Sequence, residues 1–218
     1  MSVRNAADNH ETPIWGKAPS GDSRSVWFYL GIVLILILLG FVVGGFGSIS
    51  FSVDSVENRI RFGSGVNYFW PGIAVQQVGG IWFGAWGVIA GVIFPFFSNA
   101  VTQTPLLVSL AYLPANFLQS FLPAFLFRRL NLDPTLQSGL DYLSLLAAMF
   151  FANLLGALWA VFTLLVIFDK INWCDAAGYL FGWFGGNMLA GVVFNFVLLK
   201  ALSRGIIEAK ALVRKWWF

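Results

Sequence analysis

The side chains able to do chemistry in this 218-residue chain are few, and most of them are amides. There is one histidine, His10, in a polar N-terminal stretch, and one cysteine, Cys174. A lone histidine there removes the usual general base and the commonest metal ligand, and a lone cysteine allows neither an internal disulfide nor a cysteine-based zinc site. No glycine-rich loop followed by lysine is present to cradle a phosphate. Between Phe62 and Phe127 there is no charged residue at all. Eight amides fall inside apolar stretches instead: Gln76, Gln77, Asn99, Asn116, Gln119, Asn153, Asn187 and Asn195. A buried amide in hydrocarbon must find partners, so each is either glue between helices or a contact for a ligand. Asn116 and Gln119, three apart, share a helix face. With Gln76, Gln77, Asn187 and the tryptophans Trp70 and Trp183 as stacking walls, they make a candidate pocket for a small neutral molecule. An enzyme, a metal site and a bound cofactor are not expected.

The elements that must position these residues follow from composition. The chain is 58% hydrophobic, 17% aromatic and only 11% charged, with a mean hydropathy of +0.77. A soluble domain carries about 25% charged residues, so too few charges are available to cover a water-facing surface. The composition implies an all-α integral membrane protein and excludes a disordered chain or a disulfide scaffold. A membrane-crossing helix needs roughly 20 apolar residues. Apolar runs and turn chemistry then divide the chain into spans at about 26–47, 66–83, 85–101, 105–127, 141–168 and 176–202. Residues 1–24 read as a flexible cytoplasmic tail, 25–202 as a six-helix membrane domain and 203–218 as a basic C-terminal tail. Trp27 and Tyr29 are placed as interfacial aromatics.

Charge orients the bundle. With both termini inside, the inner segments hold Arg4, Lys17, Arg24, Arg128, Arg129, Lys200, Arg204, Lys210, Arg214 and Lys215, and the outer ones only Arg59, Arg61 and Lys170. That ten-to-three split is what the positive-inside rule asks of six spans with cytoplasmic ends. Asp141, Asp169 and Asp175 fall at span ends, where water is expected to reach them, so a proton-coupled pump is not indicated. The tail from Ser203 interleaves Ile206, Ile207, Leu212 and Val213 with Lys210, Arg214 and Lys215. This pattern suits an amphipathic helix on the inner leaflet or a basic stop to the last span. Either way it addresses anionic lipid, not nucleic acid. The outer segment alternates apolar and polar residues on both sides of Asp54–Asn58, which fits either a short hairpin able to lie over the outer mouth or a plain solvated loop.

Small residues form stripes. Gly178, Gly182, Gly186 and Ala190 recur every four residues in the last span, Ala152, Gly156 and Ala160 in the fifth, and Gly40 and Gly44 in the first. Such stripes let helix backbones approach in lipid. They serve either packing within the bundle or docking of a partner subunit, for which Gly40 and Gly44 are the best candidates.

Two resemblances emerge from these residues. The run Trp82-Phe83-Gly84-Ala85-Trp86-Gly87-Val88-Ile89-Ala90-Gly91 resembles the span 2–3 region of substrate-binding subunits of energy-coupling factor vitamin transporters. That likeness implies a membrane subunit that captures a nutrient from outside, with a membrane coupling subunit and ATPases driving uptake. It also implies a prokaryotic inner membrane. Gly40 and Gly44 stand where that family's first span has alanine-spaced residues. The second likeness rests on Phe69-Trp70-Pro71-Gly72-Ile73-Ala74, on Ala115-Asn116-Phe117-Leu118 leading to Phe127-Arg128-Arg129-Leu130, and on Gly182-Trp183-Phe184-Gly185-Gly186. These are similar to bacterial membrane-associated sensor (MASE-type) domains, which implies a sensing, signalling or structural module. The sensor domains usually have about two more spans and precede an output domain; none follows here before Phe218, which favours the importer subunit as the first expectation.

Overall fold

The computed structural model describes residues 14–15, 24–47, 69–101 and 104–217, and every regular element among them is helical. The N-terminal tail is described only at Ile14, Trp15, Arg24 and Ser25, and the expected hairpin around Asp54–Asn58 lies outside the described residues. Helix α1 (Val26–Phe41) ends in a π-helical turn, Val42–Phe46; α2 is Gly72–Phe83 and α3 Ala85–Val101. A short α4 (Leu106–Ala111) breaks at Tyr112 and continues as α5 (Leu113–Arg129). The break follows from Pro114, whose ring nitrogen cannot supply the next helical donor. Helix α6 (Gly139–Phe162) also ends in a π-helical turn, Thr163–Ile167, and α7 is Trp173–Glu208.

Six helical rods therefore occupy the six stretches read from the sequence, but their lengths are unequal. Four of them, Val26–Phe46, Leu106–Arg129, Gly139–Ile167 and Trp173–Glu208, are long and apolar enough to cross a membrane. This marks the chain as a helical membrane protein. Their outer faces are apolar: Leu34, Ile35 and Leu38 on α1, Leu143 and Phe151 on α6, and Phe181 and Val197 on α7 are exposed. Helix α3 is shorter, and α2 has only 12 residues, about 18 Å of rise against a hydrocarbon core of about 30 Å.

Helix α2 is the centre of the molecule. All of its residues, Gly72 to Phe83, are buried, and it packs against α1, α3, α5 and α7. Glycine makes this enclosure possible. A Cβ on Gly87 would run into the carbonyl oxygen of Gly79, and one on Gly80 into that of Ser120. One residue, Gly84, joins α2 to α3 with φ +56°, and a Cβ there would come within 2.6 Å of the Trp216 carbonyl oxygen. A left-handed φ and a crowded Cβ position both require glycine.

The stripes named from the sequence are used within the chain in part. A Cβ on Gly40 would meet the Phe94 ring, and one on Gly44 would lie 3.1 Å from the Trp70 indole nitrogen. These two glycines thus face the bundle, and their reading as a free docking stripe is corrected. Gly156 faces Gln119, and Gly182, Gly186 and Ala190 are buried. Gly178 stands outside this packing, exposed, with nothing within 4 Å of an added Cβ.

The end of the bundle that carries the C-terminus is built around one cation. Arg128, at the end of α5, donates to five backbone carbonyls: Gly80, Ile81, Ala124, Val213 and Lys215. Two of these, Gly80 and Ile81, lie in the last turn of α2, where a positive charge is favoured; the Gly80 carbonyl also accepts from Gly84 N–H. The guanidinium lies 4.7 Å from the Trp15 ring and 5.2 Å from the Trp216 ring. Residues 211–217 are not helical. Lys210 turns the chain with φ 54°, and the segment returns over the α2–α3 junction. Val213 N–H donates to the Trp82 carbonyl and Ala85 N–H to that of Trp216. Ala211, Leu212 and Val213 are buried. Of the two readings of the tail, an amphipathic helix from Ser203 or a basic stop to the last span, neither describes 211–217: α7 runs to Glu208 and a docked, non-helical strap follows. Asp141 also departs from expectation: it is buried, 5% exposed, and closes a capping box with Ser138 at the start of α6.

Two stability outcomes follow. Arg128→Ala should cost about 3 kcal/mol, because several buried carbonyls lose their only fork-shaped donor, and Arg128→Lys should recover less than half of that. Thermal unfolding in detergent reads both. Gly182→Leu and Gly186→Leu should melt far below Leu189→Ala, since Leu189 is 56% exposed whereas both glycines are buried and have no room set aside for a side chain. Equal melting temperatures would refute the packing.

Candidate functional site

The residues singled out from the sequence separate into two groups. Gln77, Gln119, Asn153 and Asn195 form a buried amide network that ties four helices together. Asn153 Oδ1 accepts from Gln77 Nε2 at 3.1 Å and from Gln119 Nε2 at 3.5 Å. Gln77 Oε1 accepts from Asn195 Nδ2 at 2.6 Å. Each asparagine also points an N–H at a thioether: Asn153 at Met188 Sδ and Asn195 at Met149 Sδ. Gln76 turns the other way and donates to the Gly91 carbonyl at 2.7 Å, bracing α2 against α3. These side chains are at most 1% exposed. In this closed arrangement Gln76, Gln77 and Gln119 act as glue between helices.

The second group lines a cleft at the opposite end of the bundle from Arg128. Trp70, Asn116, Trp183 and Asn187, all named from the sequence, meet there. Pro95, Asn99 and Tyr112 complete the wall. Four helices supply these residues: the entry to α2, the last turns of α3, the start of α5 and the N-terminal half of α7. The cleft is partly open and measures about 30 Å³, room for about two water molecules.

The walls of the cleft are held by specific contacts. Trp70 donates its indole N–H to the Gly44 carbonyl at 3.0 Å and stacks on Phe94 with ring centroids 5.8 Å apart. Gly44 belongs to the π-helical turn of α1, a local widening that recurs at functional sites. Tyr112, at the break before α5, meets Trp183 edge to face at 5.1 Å. On the far side, Trp159 donates to the Ala111 carbonyl at 2.8 Å, fixing the short α4 against α6. The walls are aromatic, and no side chain lining the cleft carries a charge.

Two side-chain donors of lining residues, Asn116 Nδ2 and Trp183 Nε1, have no acceptor among the described residues and are shielded from solvent, so they do not open onto the cleft. Asn116 is 4% and Trp183 9% exposed, so neither atom is open to bulk solvent. A buried donor without a partner is costly, about 1–3 kcal/mol each, and is uncommon in folded proteins. Two buried acceptors are also unmatched, Gln76 Oε1 and, in the amide network, Asn195 Oδ1, but neither residue lines the cleft. The sequence reading missed Tyr112 and Pro95. Tyr112 has a signal in hindsight, an aromatic two residues before a proline where a helix must break; Pro95, inside α3, has none.

No family model matches this chain, and neither a curated protein nor a solved structure is found similar to it. Among the described residues, no three His, Cys, Asp or Glu side chains cluster as metal ligands would.

The two groups of amides predict opposite responses to removing hydrogen-bonding capacity. Gln77→Leu should lower stability by about 1–3 kcal/mol, because Asn153 and Asn195 lose buried partners. Asn116→Leu should leave stability unchanged or raise it, since it removes a donor that nothing in the protein satisfies. Chemical or thermal unfolding of the ligand-free variants compares them directly.

Proposed function

We propose that this chain is the ligand-capturing membrane subunit of a nutrient importer, acting with separate energising subunits. In this reading it crosses a prokaryotic inner membrane six times, both termini are cytoplasmic, and the cleft faces outward. The observation that carries it is the cleft itself: an uncharged recess lined by Trp70, Tyr112 and Trp183 with three asparagines, at the end of the bundle away from the basic C-terminal segment. The ten-to-three division of basic residues supports the orientation. The short α2 is compatible with six crossings because protein covers it on all sides, so its length need not match the hydrocarbon. The rival reading, a signalling or structural module, draws on the strap over the α2–α3 junction, which places the C-terminal segment in contact with the rod whose other end enters the cleft.

Two measurements test the proposal. Cys174 is exposed and falls on the outer side, so an impermeant maleimide should label it in intact cells. Ser20→Cys in a Cys174→Ser background should stay unlabelled, and the reverse pattern would overturn the topology. Purification from the native membrane followed by mass spectrometry should return an ATPase, a coupling subunit and a retained small molecule. A kinase or a structural complex as the only stable partner, with no retained ligand, would replace importer with signalling or structural module.

A further inference from the structure

Nothing in the local sequence ends α7 at Glu208. The run from Ile206 to Trp217 contains neither glycine nor proline, and its alanines, leucine, lysines and arginine are good helix formers. The helix stops because Lys210 takes a left-handed φ of 54°. Ala211 N–H then donates to the Ile206 carbonyl and Lys210 N–H to that of Ile207, the closure that glycine usually makes. A lysine there is held in a conformation that L residues rarely adopt. What holds it is tertiary. The strap bonds to Trp82, Ala85 and Arg128. The Trp86 indole donates to the Trp217 carbonyl at 2.8 Å, and Trp216 stacks on Phe121 with ring centroids 5.3 Å apart.

The same residues carry a second, helical pattern. Continued in register with α7, Ala209, Leu212, Val213 and Trp216 recur at i, i+3, i+4 and i+7 on one face. Lys210, Arg214 and Lys215 fall on the other face, with Ala211 among them. Two effects narrow the gap between the arrangements. Leaving the strap site moves Leu212, Val213 and Trp216 from protein to lipid, which is equally apolar, and relieves the backbone at Lys210. The bundle also keeps bonds of its own, because Arg128 retains the carbonyls of Gly80, Ile81 and Ala124. We infer that residues 209–217 form a two-state switch: the docked strap seen here, or a continuation of α7 that lies on the adjacent leaflet and is favoured by anionic lipid. Gly205, with nothing within 4 Å of an added Cβ, is where the helix has room to bend onto that leaflet. There Lys210, Arg214 and Lys215 meet the headgroups, and their attraction to an anionic surface adds up. Release frees the Trp82 carbonyl and the Ala85 N–H on either side of Gly84, so the switch acts on the α2–α3 junction.

The switch goes beyond the importer reading and does not depend on it, and its test involves neither a transported ligand nor a partner protein. The full chain is placed in nanodiscs of phosphatidylcholine alone, or of phosphatidylcholine and phosphatidylglycerol in equal parts. Ala211→Cys and Val213→Cys, each in a Cys174→Ser background, are labelled with a water-soluble maleimide. Ala211 is 5% and Val213 0% exposed in the docked strap, so both thiols react slowly while it stays docked. In the helical state Ala211 lies on the basic face and Val213 on the lipid face. Anionic lipid should therefore speed the labelling of Ala211→Cys by at least about fivefold and leave Val213→Cys slow. In the anionic discs, Lys210→Gly added to Ala211→Cys should label at least about tenfold more slowly than Lys210→Ala added to it. Both variants lack the charge, and only glycine fits the left-handed turn without strain. On the unmutated chain, the Trp86 indole proton, assigned by its absence in Trp86→Phe, should move upfield in anionic discs as its bond to Trp217 opens. Equal labelling of Ala211→Cys in the two lipids, or an unmoved Trp86 resonance, means a fixed strap and overturns the inference. Equal acceleration at both cysteines means a released tail that is not helical, and overturns it too.

Discussion

A helix buried on every side must have its polar atoms met inside the protein, and in this molecule that helix is α2. It cannot turn a polar face to water, and its two glutamines and its terminal carbonyls cost free energy wherever they go unmatched. Nearly every distinctive contact in the structure answers that demand. Gln76 reaches α3, and Gln77 draws in Asn153 and Asn195 from α6 and α7. Arg128 takes the carbonyls of Gly80 and Ile81. Glycines at positions 79, 80, 87 and 91 let the neighbours come close enough for these bonds to form.

The clamp at the foot of α2 joins parts of the chain that are far apart in sequence. Arg128 brings together the end of α5, the end of α2, the strap at 211–217 and Trp15. Trp15 in turn donates to the Leu132 carbonyl, and Arg214 to that of Ile14. Guanidinium suits this role better than ammonium, because its planar fork serves several carbonyls at once while its faces lie against indole rings. The same rod that is held at its foot by Arg128 begins at its head beside Trp70, a wall of the cleft. A change at the cleft that shifts α2 therefore has a short mechanical route to the strap.

The amides show how one residue type serves two ends. Those at the middle of the bundle are drawn into a network with each other and with methionine sulfur. Asn116, in the first turn of α5, and Asn187, two turns before Asn195 on α7, line a recess that nothing in the core fills. Asn116 and Gln119 lie three apart on one helix face, yet one joins the cleft and the other the network. The difference is depth along the bundle, which periodicity does not encode.

By itself the sequence determined that this is a helical membrane protein and where its six rods run. Those features depend on local composition: long apolar runs, few charges, and turn residues between them. It also singled out the amides and tryptophans worth attention, since a polar side chain in an apolar stretch is conspicuous whatever surrounds it. The tertiary structure alone decided which amides meet each other and which line the cleft. It also decided that Gly40 and Gly44 face inward, and that Arg128, read from the sequence as one cytoplasmic charge among ten and as part of a short resembling run, caps the central helix. Likewise the C-terminal residues, amphipathic on paper, form a strap instead of a helix on the lipid. In each case the deciding contact joins positions distant in the chain, such as Gln77 with Asn195 or Arg128 with Val213. The energy of a buried polar group depends on that distant partner, so no local pattern of residues can carry the answer.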